Sequence, residues 1–144
     1  VDGGLFANNP SLCAYAEART MKPPKGNEIP QTRTAKDMRI LSLGTGSVKK
    51  SYPYKEAKDW GMLQWIKPVI DIQMSAVAET VDYQLKMIYD AVGMPDQYLR
   101  IDCDLPDYVS SEMDDASVEN MAQLRELGEG LAQKNIKEIK KFLI

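Results

Sequence analysis

The sequence contains no histidine, and this absence excludes more than any other. Within this chain there can be no Ser-His-Asp or Cys-His triad, no His-ligated zinc site and no His acid/base pair. Cysteine is scarce as well. Cys13 and Cys103 could close one bridge at most, so no disulfide framework exists, and reduced thiols are the simpler reading. Long apolar runs are missing: no stretch approaches the roughly 18 residues a transmembrane helix needs. Val1-Asp2-Gly3-Gly4 lacks the basic head and apolar stretch of a signal peptide. With no targeting segment in view, a cytoplasmic setting is favoured. Excess positive charge is lacking too. Eighteen basic against 21 acidic side chains leave a net charge of −3. That balance argues against nucleic acid as a partner, which calls for a basic surplus or a dense basic patch.

What is present is ordinary globular composition, 44% apolar and 27% charged over 144 residues. The length suits one domain that buries roughly two thirds of its unfolded surface. The first residues read as the end of a strand entering a tight glycine turn at Gly3-Gly4. Asn8-Asn9-Pro10 reads as a helix start. Proline pushes Asn9 out of the helical region, Asn9 caps with its side chain, and Pro10 takes the first helical position. That helix is expected to end near Met21. Pro23 to Asp37 reads as a surface loop.

Met38 to Leu43 reads as a buried strand closed by a sharp turn at Gly44-Thr45-Gly46. Val48 to Asp59 reads as a second loop, with helical pattern from about Ala57 and a new helix restarting at Pro68. Ile70, Met74, Val77, Val81, Leu85, Ile88 and Val92 form one apolar helical stripe, stopped by Gly93-Met94-Pro95. Tyr98 to Cys103 alternates crudely and reads as a strand that could lie at a sheet edge. Asp114 to Ser117 opens a last helix, with acidic groups at its positive end. Its apolar face runs from Val118 through Met121, Leu124, Leu127, Leu131 and Ile139 to Phe142, and Gly128 and Gly130 weaken its middle. The alternation of strands and helices argues α/β layers around a mainly parallel sheet. Three strands are too few for that much helix, and residues 1–144 are expected to be part of a larger domain.

Asp2-Gly3-Gly4 stands where α/β sheets build their sites, at a strand's C-terminal end. Glycines there leave the backbone uncrowded, so another segment can approach closely. Read alone, Asp2 is more simply a turn residue. With Asn8-Asn9-Pro10, then Ile40 to Gly46, Tyr98 to Ile101, and Glu112 to Ser117 in order, the chain resembles the patatin-like phospholipases along essentially its whole length. The resemblance implies the C-terminal part of a three-layer α/β/α fold and a lipid acyl hydrolase using a Ser–Asp dyad without histidine. It makes Asp2 the dyad acid, Gly3 and Gly4 the active-site turn, and membrane or micellar lipid the substrate. Asn9, Pro10, Gly44, Thr45 and Gly46 become structural neighbours of the site. No cofactor and no metal are implied.

The family's Gly-x-Ser-x-Gly elbow does not occur in these 144 residues. Neither Ser42 nor Ser47 has its flanking glycines. The serine and the oxyanion glycines are therefore expected on a missing N-terminal half of the same domain, and this chain alone is expected to be inactive. A catalytically silent storage or interaction module of the same fold is the alternative. A free Asp titrates near 3.9, too acidic to be an efficient base at neutral pH, and burial raises it. In the whole enzyme Asp2 should occupy a partly dry pocket; in this chain alone it should be hydrated.

Other signals are weaker. Gly44-Thr45-Gly46-Ser47 lacks the spacing of a nucleotide loop, having Lys at position 49. Lys49, Lys50, Tyr52, Tyr54, Lys55, Lys58, Trp60, Met62 and Trp65 make a basic and aromatic stretch suited to a lipid interface. The simpler competing reading is a solvated loop leading into a helix whose tryptophans are core. Asp102-Cys103-Asp104 and Asp114-Asp115 read as edge charges and caps rather than metal ligands. Cys13, Met74 and Met121 are expected in the core.

Overall fold

A computed structural model describes residues 3–21, 33–48, 50–112 and 114–144. Asp2 and Lys49 lie outside the described residues, as do Met113 and most of the expected loop after Met21. The chain divides into two compact units, Val1–Ser42 with Ser51–Arg100, and Leu43–Lys50 with Ile101–Ile144.

The first unit holds α1 (Gly4–Ala7), α2 (Ser11–Thr20), α3 (Tyr54–Ala57) and α4 (Met62–Ala91). With them are most of β1 (Ile40–Leu43) and β2 (Tyr98–Ile101). Helix α4 is the organiser. Every member of its expected stripe is buried or half-buried, and Leu85 and Tyr89 are wholly enclosed. Ala35 and Tyr98 complete the core, with Leu12, Tyr15, Ile40, Val81, Ile88 and Val92 packed around it. A fully enclosed side chain such as Leu85 contributes about 1.5–3 kcal/mol by leaving water. The rings of Tyr15, Tyr89 and Tyr98 meet in series, edge-on at 6.5 Å and stacked at 6.0 Å.

The expected stop of α4 is observed. Gly93 has φ +73°, its N–H donates to Asp90 O, and the Met94 N–H donates to Tyr89 O. Two of the carbonyls left over at the helix end are thereby satisfied. The expected restart at Pro68 is not observed, because α4 runs unbroken from Met62 to Ala91. Pro68 forfeits one backbone hydrogen bond, but its ring is buried, and packing along a 30-residue helix outweighs that loss.

The glycine turn at the chain start is also corrected. Gly3 has φ −64° and caps α1, and Gly4 is already helical. The Gly3 carbonyl accepts from the Phe6 and Ala7 amides, closing a helical turn that needs no positive φ.

The second unit continues the two strands and adds α5 (Val118–Leu143). Backbone donors Gly44 and Ser47 bond acceptors Ile101 and Cys103, both numbers rising together, so β1 and β2 run parallel. Donors advance by three while acceptors advance by two, so the β1 side carries one extra residue: a bulge. The sharp turn expected at Gly44-Thr45-Gly46 is therefore not a turn. Pairing resumes at Ser47 opposite Asp104.

The expected cap of the last helix is present. The Asp115 carboxylate accepts the Ser117 N–H at 3.1 Å and the Ser117 hydroxyl accepts the Asn120 N–H at 3.3 Å. These Ser117 bonds hold the Asp115 carboxyl below the usual carboxylate range. The apolar face of α5 is only partly covered: Phe142 is buried and Leu127, Leu131 and Ile139 are half-buried, but Val118 and Met121 are exposed. Met121 is thus not core, and neither is Cys13, which lies exposed on α2. The architecture is α/β with a small parallel sheet, a partial form of the expected class.

Candidate active site

Asp2 lies outside the described residues, so the site is built from the segment attached to it. That segment is anchored by amides. Asn8 Nδ2 donates to Met74 O and Asn9 Nδ2 to Ala78 O, each at 3.2 Å. The acceptors lie one turn apart on α4, so two adjacent asparagines grip one face of it.

Asn9 is 2% exposed, and its Oδ1 accepts the Ser11 N–H at 3.2 Å. Asn9 makes a side-chain bond at the helix start, but it is not the expected N-cap: α2 begins at Ser11, so Pro10 is the N-cap rather than the first helical residue. Behind Asn9 lies a buried hydroxyl pair that sequence reading missed. Ser11 Oγ donates to Ser42 Oγ at 2.8 Å, and Arg100 Nη1 donates to the same oxygen at 2.8 Å. Tyr98 Oη donates to Asp82 Oδ1 at 2.8 Å, and Lys86 pairs with Asp82 at 2.7 Å. Burial, then the Asp82 hydrogen bond, pushes the Tyr98 phenol far up.

Gly44 and Gly46 wrap a different carboxylate. The Gly46 and Cys103 amides donate to Asp102 Oδ1 at 3.1 and 2.9 Å. A Cβ on Gly44 would run into Asp102, and one on Gly46, at φ +93°, into Leu105. Thr45 is exposed. These residues shape a bulge in the second unit.

Other nucleophile candidates are disfavoured by their surroundings. Ser42 is buried and already accepts two donors. Ser47 Oγ donates to Asp104 Oδ1 at 3.1 Å, but the two are cross-strand bridge partners at the surface. The Cys103 thiol is pushed up by burial and by Asp102 and Asp104, which keeps it protonated. An open groove of about 330 Å³ is lined by Ala14, Tyr15, Ala18 and the run from Met38 to Leu41, and it brings no carboxylate, serine or threonine hydroxyl, or thiol.

The basic and aromatic stretch is split by the structure. Tyr52 and Trp60 are half-buried and meet edge-on at 5.8 Å, and Trp60 meets Trp65 at 5.1 Å. Lys50 and Tyr54 are exposed. Beside Tyr54 in the chain, the first turns of α4 leave Met62 85% and Leu63 84% exposed, with Ile66 and Val69 half in water.

The observations define an α/β chain of parallel strands and long helices, with residues 3–9 held on the longest helix by asparagines. No family model matches the chain. It is 34% identical over 96% of its length to Patatin-like protein 3 of Arabidopsis thaliana, covering 35% of that protein. Patatin-like protein 2 of Oryza sativa subsp. indica matches at 34% over 96% of the chain, with 37% of that protein covered. Probable inactive patatin-3-Kuras 1 of Solanum tuberosum also matches at 34% over 96% of the chain, with 38% covered. The chain belongs to the patatin-like family. It spans about a third of the length of these curated relatives, by the same coverages.

Proposed function

We propose that this chain is the acid-bearing portion of a lipid acyl hydrolase that cleaves acyl esters of phospholipids or galactolipids through a Ser–Asp dyad. Asp2 accepts the proton of a serine hydroxyl carried by sequence outside these 144 residues. The serine attacks the ester carbonyl, an acyl-enzyme forms as the alcohol leaves, and water then releases the fatty acid. The observation that carries the reading is 34% identity to patatin-like proteins over 96% of a chain without histidine. In support, Asp2 is bonded to a segment pinned on α4 by Asn8 and Asn9.

The test is ester hydrolysis by the full-length parent, its Asp2→Asn variant and the 144-residue chain alone. Turnover by the parent only is expected. Turnover by the chain alone, or by Asp2→Asn at the wild-type rate, refutes the assignment. A relative bearing the words "probable inactive" favours the second reading, a catalytically silent module, which an inert parent would establish.

The same reading includes a lipid-facing surface. Tyr54, Met62 and Leu63 are the most exposed apolar side chains of the stretch, with Lys50 and Lys55 also exposed. Replacing Met62 and Leu63 by Ser in the parent should weaken sedimentation with anionic vesicles at least several-fold; unchanged binding rejects this surface.

A further inference from the structure

Helix α1 buries none of its residues, and Phe6 on it is 85% exposed. No fully buried apolar side chain therefore holds the segment next to Asp2. Polar anchors do. Among the buried polar side chains of the described residues, Asn9, Ser11 and Ser42 join in one network. It runs from the Ala78 carbonyl on α4, through Asn9 and Ser11, to Ser42 on β1 and Arg100 on β2. Asn8 adds a parallel strut to the Met74 carbonyl. A satisfied buried network gains little net stability over an apolar core of the same shape, but it defines one arrangement. The Gly3 carbonyl, bonded by the amides of Phe6 and Ala7, carries that arrangement to the chain start.

We propose that Asn9, backed by Ser11, Ser42 and Arg100 and assisted by Asn8, is the positioning device of the dyad acid. These residues touch no reacting atom. They hold Gly3, and so set where the carboxylate bonded to it meets the serine. The assignment rests on the reading of Asp2 given above.

The experiment uses the full-length parent and a soluble nitrophenyl ester. Asn9→Ala should lower kcat on the order of 10²-fold, the scale of an ångström-sized misplacement, with KM nearly unchanged. Ser11→Ala should lower kcat less, and Ser11→Thr, which keeps the hydroxyl, should restore it. In the alanine variants the acid limb of kcat/KM should move to lower pH, because a displaced carboxylate becomes better hydrated. Asn120→Ala removes an equally buried amide from the cap of α5; it should lower the Tm and leave kcat alone.

Alanine variants that melt earlier but keep wild-type kcat and acid limb overturn the positioning role, while an inactive Asp2→Asn leaves the dyad standing. An active Asp2→Asn, or an inert wild type, overturns the dyad and this assignment with it. Should Asn9→Ala fail to fold, the comparison of Ser11→Ala with Ser11→Thr decides alone.

Discussion

Asp102 organises a backbone that would otherwise be short of partners. A bulge leaves an N–H without its ladder acceptor; here the Gly46 N–H finds the Asp102 carboxylate instead. Gly44 must be glycine because that carboxylate fills the space of its Cβ, and Gly46 because its φ is +93°. Gly44→Ala should cost about 1–3 kcal/mol from overpacking. Gly46→Ala should cost about 1–2 kcal/mol more than its own overpacking, through the left-handed backbone. Chemical denaturation measures both. The buried phenols supply a second prediction. Burial pushes Tyr89 up to about 12 and Tyr98 higher still. Unfolded phenols ionise near 10, so the fold favours the neutral form. This stabilisation is complete below about pH 10 and is lost as pH rises from there through the folded values. Phenolate absorbance from these two residues should appear together with loss of near-ultraviolet circular dichroism. Tyr89→Phe, which removes the hydrogen bond to Met38 O, should cost about 0.5–1.5 kcal/mol and reduce that alkaline sensitivity.

Elements differ in how openly a sequence declares them. The α4 stripe was legible because one helical period persists over six turns, and its stop was legible because Gly93 alone suits the left-handed end. Pro68 misled, since a proline's local cost is visible in sequence and the packing that offsets it is not. Helix α1 was invisible: four residues beginning with Gly4 carry no period. At Gly44-Thr45-Gly46 a turn and a bulge call for the same glycines, and only the partner strand tells them apart. Within the site, the Asn9 bond to the Ser11 N–H was local and legible, though the cap itself falls on Pro10. The bonds from Asn8 to Met74 and from Ser11 to Ser42 join residues 66 and 31 positions apart, beyond any local pattern. The weakening expected of Gly128 and Gly130 gives an element-scale prediction. Both lie within α5 and a Cβ on either meets open space. Gly128→Ala and Gly130→Ala should each stabilise the chain by about 0.5–1 kcal/mol, raising the denaturation midpoint.

For the whole molecule, acid should loosen both units through different carboxylates. Hydrogen bonds from the Thr34 backbone and side chain hold Asp37 below its usual range, and those from Ser117 do the same for Asp115. Each folded pKa is depressed, so the stabilisation is present above the unfolded value near 4 and is lost as pH falls through the folded one. Amide exchange at Thr34 and Ser117, whose N–H groups these carboxylates accept, should quicken relative to their neighbours below about pH 4. An exchange profile flat across that range would contradict both assignments. The paired asparagines carry a consequence for change over longer spans. Their acceptors sit at Met74 and Ala78, so they index α4 like two teeth in a rack. One residue inserted between those positions swings one carbonyl about 100° out of phase with the other. One residue inserted in the run from Val48 to Pro53 leaves the phase intact. Length variation should therefore gather in that connection and be barred from the gripped turn.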